Sequence, residues 1–86
     1  MMTEYEMDLI DELHFVQSFA YLLANTGLAE TELRTTLWQA ARKGWVKIMR
    51  TVDEEADMET VDFESLCHTF FYLATKKGLL AYHTGQ

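Results

Sequence analysis

The sequence predicts a mainly α fold with a small β-ribbon: three helices and two short antiparallel strands, in the order α-α-β-α-β. Three observations lead there. Apolar residues recur at helical spacing over three stretches, 5–25, 30–43 and 63–76. Two short apolar runs, 45–50 and 79–83, each follow a glycine that ends a helical pattern. The chain has no proline to interrupt its helices.

The first stretch reads as one long helix, or as two with a bend near His14. Leu9, Leu13, Val16, Ala20 and Leu23 form one apolar stripe, and Phe15, Phe19 and Leu22 a second about a third of a turn away. Two stripes mean burial on more than one side. The helix is then either the centre of the core or uses Phe15, Phe19 and Leu22 to contact a second copy of the chain. Asn25-Thr26-Gly27 closes the pattern with a glycine suited to positive φ.

The next helix opens with Glu30 and Glu32, where the helix dipole favours acids, and closes with Arg42, Lys43 and the stop Gly44. Leu33, Leu37, Ala40 and Ala41 fall on its inner side. Thr31, Arg34, Thr35, Trp38, Gln39 and Arg42 fall on its outer side. From Val46 onward the run to Arg50 alternates apolar and basic residues, the pattern of a half-buried strand. Trp45 is expected in the core. Trp38, between Arg34 and Arg42, either anchors a partner or leans onto the third helix.

Residues 51–62 are acidic and polar and read as an exposed connection. They lack the glycine that a calcium loop uses for its turn. Asp62 offers an N-cap to the third helix, with Phe63, Leu66, Phe70, Leu73 and Ala74 facing inward. Lys76-Lys77-Gly78 is expected to end that helix, and the strand 79–83 to pair with 45–50.

Composition bounds the function. With 49% hydrophobic and 24% charged residues, the 86 residues suit one folded domain, 1–86. No apolar run approaches the roughly 18 residues that cross a bilayer, and no membrane role is expected. The single Cys67 excludes an internal disulfide, and the acidic MMTEYEMD start lacks a secretory n-region, so a cytoplasmic setting is expected. Cys67 and His68 are adjacent on a helix and point about 100° apart, which does not make a nucleophile and base. His14, His68 and His83 lack zinc-site spacing. No phosphate loop or catalytic carboxylate pattern is present. The expectation is no enzyme, no cofactor and no metal.

The net charge of −7 is unevenly spread. Residues 1–26 carry −5, residues 27–50 carry +3, residues 51–65 carry −7 and residues 66–86 carry +2. Positive charge thus gathers on the 30–43 helix and its strand.

The order helix, glycine turn, helix, glycine, strand over about residues 13–50 resembles the helix-turn-helix core of a winged-helix domain. Gly27-Leu28 stands in the turn, Leu33 and Leu37 are the inward anchors, and Gly44-Trp45-Val46 enters the strand. A helix between the two strands departs from the usual wing, whose strands are joined directly. The resemblance implies a small transcriptional regulator whose 30–43 helix enters the major groove of double-stranded DNA. Thr31, Thr35 and Gln39, with Trp38 beside them, would meet bases. Arg34, Arg42, Lys43, Lys47 and Arg50 would neutralise phosphates. A second candidate reader is the 63–76 helix, with Ser65, His68, Thr69, Tyr72 and Lys76 outward. The alternative to DNA is an acidic protein-interaction or dimerisation module on the same frame, anchored by Phe15, Phe19 and Trp38.

Overall fold

A computed structural model describes residues 2–84. The chain runs α1 (Glu4–Glu12), β1 (Gln17–Ser18), α2 (Phe19–Thr26), α3 (Glu30–Arg42), β2 (Val46–Met49), α4 (Phe63–Leu66), a 3-10 turn at Cys67–Thr69, β3 (Phe71–Ala74) and α5 (Lys76–His83). It is mainly helical, with five α-helices among the described residues where three were expected, and a three-stranded antiparallel sheet where two strands were expected.

The first stretch divides. Thr3 and Glu6 form a capping box at the start of α1. The helix ends where Leu13 N–H donates to the Ile10 carbonyl. Residues 14–16 then lead into β1, whose Gln17 and Ser18 pair with Tyr72 and Phe71 of β3. Ser18 next caps α2 by accepting from Tyr21 N–H at 3.1 Å. The break resets the helical phase, which corrects the stripe assignments. Leu9 and Leu13 are buried, but so are Phe19 and Leu22, while Ala20 and Leu23 are exposed. Phe19 and Leu22 therefore cannot form an open contact surface. Phe15, in the break, is 76% exposed.

The turn to α3 and the end of α3 follow expectation. Gly27 sits at φ 74° and Gly44 at φ 81°, both in the left-handed region. At the end of α3 the Gly44 N–H donates to Ala41 O and the Trp45 N–H to Ala40 O. This paired closure satisfies two carbonyls of the last turn and aims the chain into β2. Trp45 is buried, as expected.

The second half of the chain differs most. The helical pattern of 63–76 yields only α4 and the 3-10 turn before becoming β3. Strand β3 lies between β1 and β2, pairing Ala74 with Val46 and Phe71 with Met49. Lys76-Lys77-Gly78 begins a helix rather than ending one, because Thr75 caps it: its hydroxyl accepts from Gly78 N–H at 3.0 Å. Residues 79–83 are thus helical and pack with α1, and the expected pairing of 45–50 with 79–83 is replaced by β2–β3. Tyr72, placed outward on the second candidate reader, is instead fully buried at the centre of the sheet.

The segment after β2 doubles back along it. Arg50 N–H donates to Glu54 O at 2.7 Å and Ala56 N–H to Ile48 O at 2.8 Å, with Met49 bridged to Glu55. This covers the outer edge of β2 from Ile48 onward, which would otherwise present unpaired backbone groups. One contiguous core joins α1, α2, α3, the sheet and Phe63. No helix among the described residues is long and apolar enough to cross a membrane.

Candidate functional site

The 13-residue α3 buries Leu33, Thr36, Leu37, Ala40 and Ala41, so its opposite side faces out by helical geometry alone. Thr31, Thr35, Gln39 and Arg42 are exposed there, and Arg34 and Trp38 are half-buried. Five of these, Arg34, Thr35, Trp38, Gln39 and Arg42, line one open groove of about 580 Å³. Its other wall is Val61, Asp62, Phe63 and Glu64.

The floor is aromatic. The rings of Trp38 and Phe63 lie 5.0 Å apart at an angle of 31°. Phe63 in turn meets Tyr72 edge-on at 6.4 Å, tying the groove to the sheet. Trp38 therefore leans onto Phe63 at the start of α4, where the third helix was expected to begin, and still presents part of its surface to the groove. Asp62 holds the wall in place by accepting from Ser65 N–H at the start of α4.

The expected cationic set is only partly assembled. Lys43 turns away from the outer face, placing Nζ 2.9 Å from Oε2 of Glu6 and 4.8 Å from the Trp45 ring centre. Its charge is matched by a carboxylate that is only 1% exposed, while the Lys43 side chain itself stays 44% exposed. Arg34 lies against Cys67. Burial pushes the Cys67 thiol up from its ordinary pKa, with the Arg34 guanidinium opposing that shift. This is a buried structural thiol. Lys47 and Arg50 are exposed on and after β2 but line neither groove. Lys47 shares with Leu73 and Phe71 the face of the sheet opposite Tyr72.

A second, shallower hollow of about 380 Å³ lies at the other side of α3, where Thr31 meets Tyr5 and Glu32. The Tyr5 hydroxyl donates to Glu32 Oε2 at 3.1 Å, and that hydrogen bond holds the phenol pKa above its ordinary value. Thr35 and Gln39 stand on the ridge between the two hollows.

The wall residues Val61, Asp62 and Glu64 carry no signal of a site in the sequence. Asp62 caps α4 and Phe63 is buried, as their patterns imply, but nothing in a linear pattern says that they face α3. The role of Glu6 was also missed, although Thr3-x-x-Glu6 is a legible capping signature. Among the described residues, no buried side-chain nitrogen or oxygen lacks a hydrogen-bond partner, and no group of three or more His, Cys, Asp and Glu side chains is placed to hold a metal ion.

Comparison of the chain with protein-family models, with curated proteins and with solved structures gave no match.

Proposed function

We propose that the chain is a winged-helix-type domain that docks another protein through the groove on α3. The sheet order β1-β3-β2, with α2 and α3 set between the first two strands of the sequence, supports the winged-helix frame. The 50–70 segment then occupies the position of the wing, enlarged by α4 and the 3-10 turn.

The observation that carries the docking reading is the composition of the two groove walls. Arg34 and Arg42 stand on α3, Asp62 and Glu64 stand opposite, and the Trp38–Phe63 pair lies between them. A mixed-charge rim around an aromatic floor suits a protein surface. It suits a phosphate backbone poorly, because a duplex pressed onto α3 brings its phosphates toward Asp62 and Glu64 on the facing wall. Capture from cell extract, comparing the wild type with a Gln39→Glu, Arg42→Glu variant, tests this reading. A partner retained by the wild type and lost by the variant supports it; identical capture profiles overturn it.

A second reading keeps α3 as a DNA reader, favoured by the exposed Thr31, Thr35, Gln39 and Arg42 on one helix. With Lys43 held by Glu6, four cations of the expected set remain: Arg34, half-buried in the groove wall, and the exposed Arg42, Lys47 and Arg50. Titration of a labelled duplex should then give a slope of log affinity against log salt of about −3 to −4. The docking reading expects no saturable duplex binding at physiological salt.

A further inference from the structure

We infer that the α3 groove is shaped for two turns of a partner protein's amphipathic helix, bearing an apolar residue with a carboxylate one turn away on each side. This rests on the docking reading above and adds the chemistry of the occupant.

The spacing of the α3 wall sets the length. Arg34, Trp38 and Arg42 recur every four residues, so they stand above one another on a single ridge, with a cation one turn either side of the aromatic. From Arg34 to Arg42 the ridge is about 12 Å long, which matches two turns of a second helix laid beside it. An apolar side chain at the middle of that helix rests on Trp38 and Phe63. Carboxylates four residues before and after it reach Arg34 and Arg42. A lysine or arginine on its other flank meets Asp62 and Glu64.

The backbone surroundings select a helix over an extended peptide. None of the residues lining the groove belongs to a strand, and the outer edge of β2 is already covered from Ile48 onward by Glu55 and Ala56. The groove therefore offers no ladder of backbone groups to an extended segment, and an occupant must satisfy its own.

The test uses the full chain and three labelled helical peptides, read by fluorescence anisotropy. The first carries Glu-x-x-x-Leu-x-x-x-Glu with a flanking Lys. The second reverses every charge, and the third replaces the central Leu by Ser. A labelled duplex and sedimentation of the protein alone complete the set. The expected result is that the first peptide binds about tenfold or more tighter than the other two. Arg42→Glu, at an exposed position, should shift the preference toward the charge-reversed peptide.

Equal or tighter binding of the charge-reversed peptide to the wild type overturns the proposed occupant while leaving groove docking standing. Tight duplex binding with no peptide binding overturns both. Self-association of the chain that Arg42→Glu abolishes makes a second copy the occupant and overturns the proposal. Absence of binding by every probe overturns it as well.

Discussion

Lys43 Nζ stands 2.9 Å from Glu6 Oε2, joining the last turn of α3 to the first turn of α1 across 37 positions of sequence. Glu6 also accepts from Thr3 N–H at 2.9 Å, so both of its oxygens are engaged. Burial is the largest single influence on this carboxyl and opposes its ionisation. The Lys43 and Thr3 hydrogen bonds together outweigh it and hold the pKa below the ordinary glutamate value.

A pH dependence follows from that sign. A carboxyl whose pKa is lower in the folded state contributes stability that is fully present above its unfolded value, about 4.3, and is lost as pH falls through the lower folded value. Urea titrations between about pH 6 and pH 3 should therefore show the wild type losing stability more steeply than Glu6→Gln. Parallel curves would remove Glu6 from the acid response. Lys43→Met, which leaves the buried carboxylate without its cation, should cost about 1–2 kcal/mol at neutral pH, tempered by the solvent that reaches Lys43.

Gly78 is constrained by contact rather than by φ. A Cβ there would lie 2.2 Å from the Trp45 carbonyl oxygen, the same oxygen that accepts from Thr75 N–H at 2.9 Å. Gly78→Ala should push α5 off the start of β2 and cost about 1–3 kcal/mol. For a domain of this size each kcal/mol lowers Tm by about 4–8 °C, measurable by thermal melting.

Gly27 presents the opposite case. A Cβ there meets nothing within 4 Å, but φ is +74°. Gly27→Ala should cost about 1–2 kcal/mol from backbone strain alone, and Gly27→Asn appreciably less. Equal stabilities for the two variants would contradict a left-handed turn at this position.

The paired phenylalanines test the break between α1 and α2. Phe19 is buried and meets His68 edge-on at 5.6 Å, whereas Phe15 is 76% exposed. Phe19→Ala should cost about 3–5 kcal/mol, and Phe15→Ser should stay within about 0.5 kcal/mol of wild type. Chemical denaturation separates the two outcomes; comparable losses would indicate an unbroken helix through this region.

Trp38 supplies an internal reporter. Its ring rests on Phe63, so Phe63→Ala should expose it, shift its emission to longer wavelength and destabilise the fold by about 3 kcal/mol. Trp38→Phe removes that signal and leaves the buried Trp45 as the sole tryptophan. Unchanged emission in Phe63→Ala would argue against the stacked floor.

The residues that were legible from sequence are those whose neighbours along the chain decide their conformation. Gly27 and Gly44 announce positive φ, and the four-residue rhythm of Leu33, Leu37 and Ala41 fixes which face of α3 is buried. In the first stretch the division into two helices near His14 was one of the two readings, but the strand within the break was not legible: Gln17 and Ser18 leave the helix because β3 offers them partners more than 50 positions away. The run Phe70-Phe71-Tyr72-Leu73-Ala74 is apolar throughout, and periodicity alone does not separate a buried strand from a helix there. Thr75 was the available signal, since a cap before Lys76 reverses the reading of Lys76-Lys77-Gly78 from a stop to a start. The groove was half legible. Its α3 wall follows from helix phase, while the wall at 61–64 and the capture of Lys43 by Glu6 arise only when distant segments meet.

Strand β3 comes last in sequence yet stands in the middle of the sheet. A chain emerging from a ribosome will therefore have α1, α2 and α3 in hand while β1 and β2 still lack the neighbour that both require. The long-range pairing that closes the sheet waits for residues 71–74, so β3 sets the moment at which β1 and β2 become native.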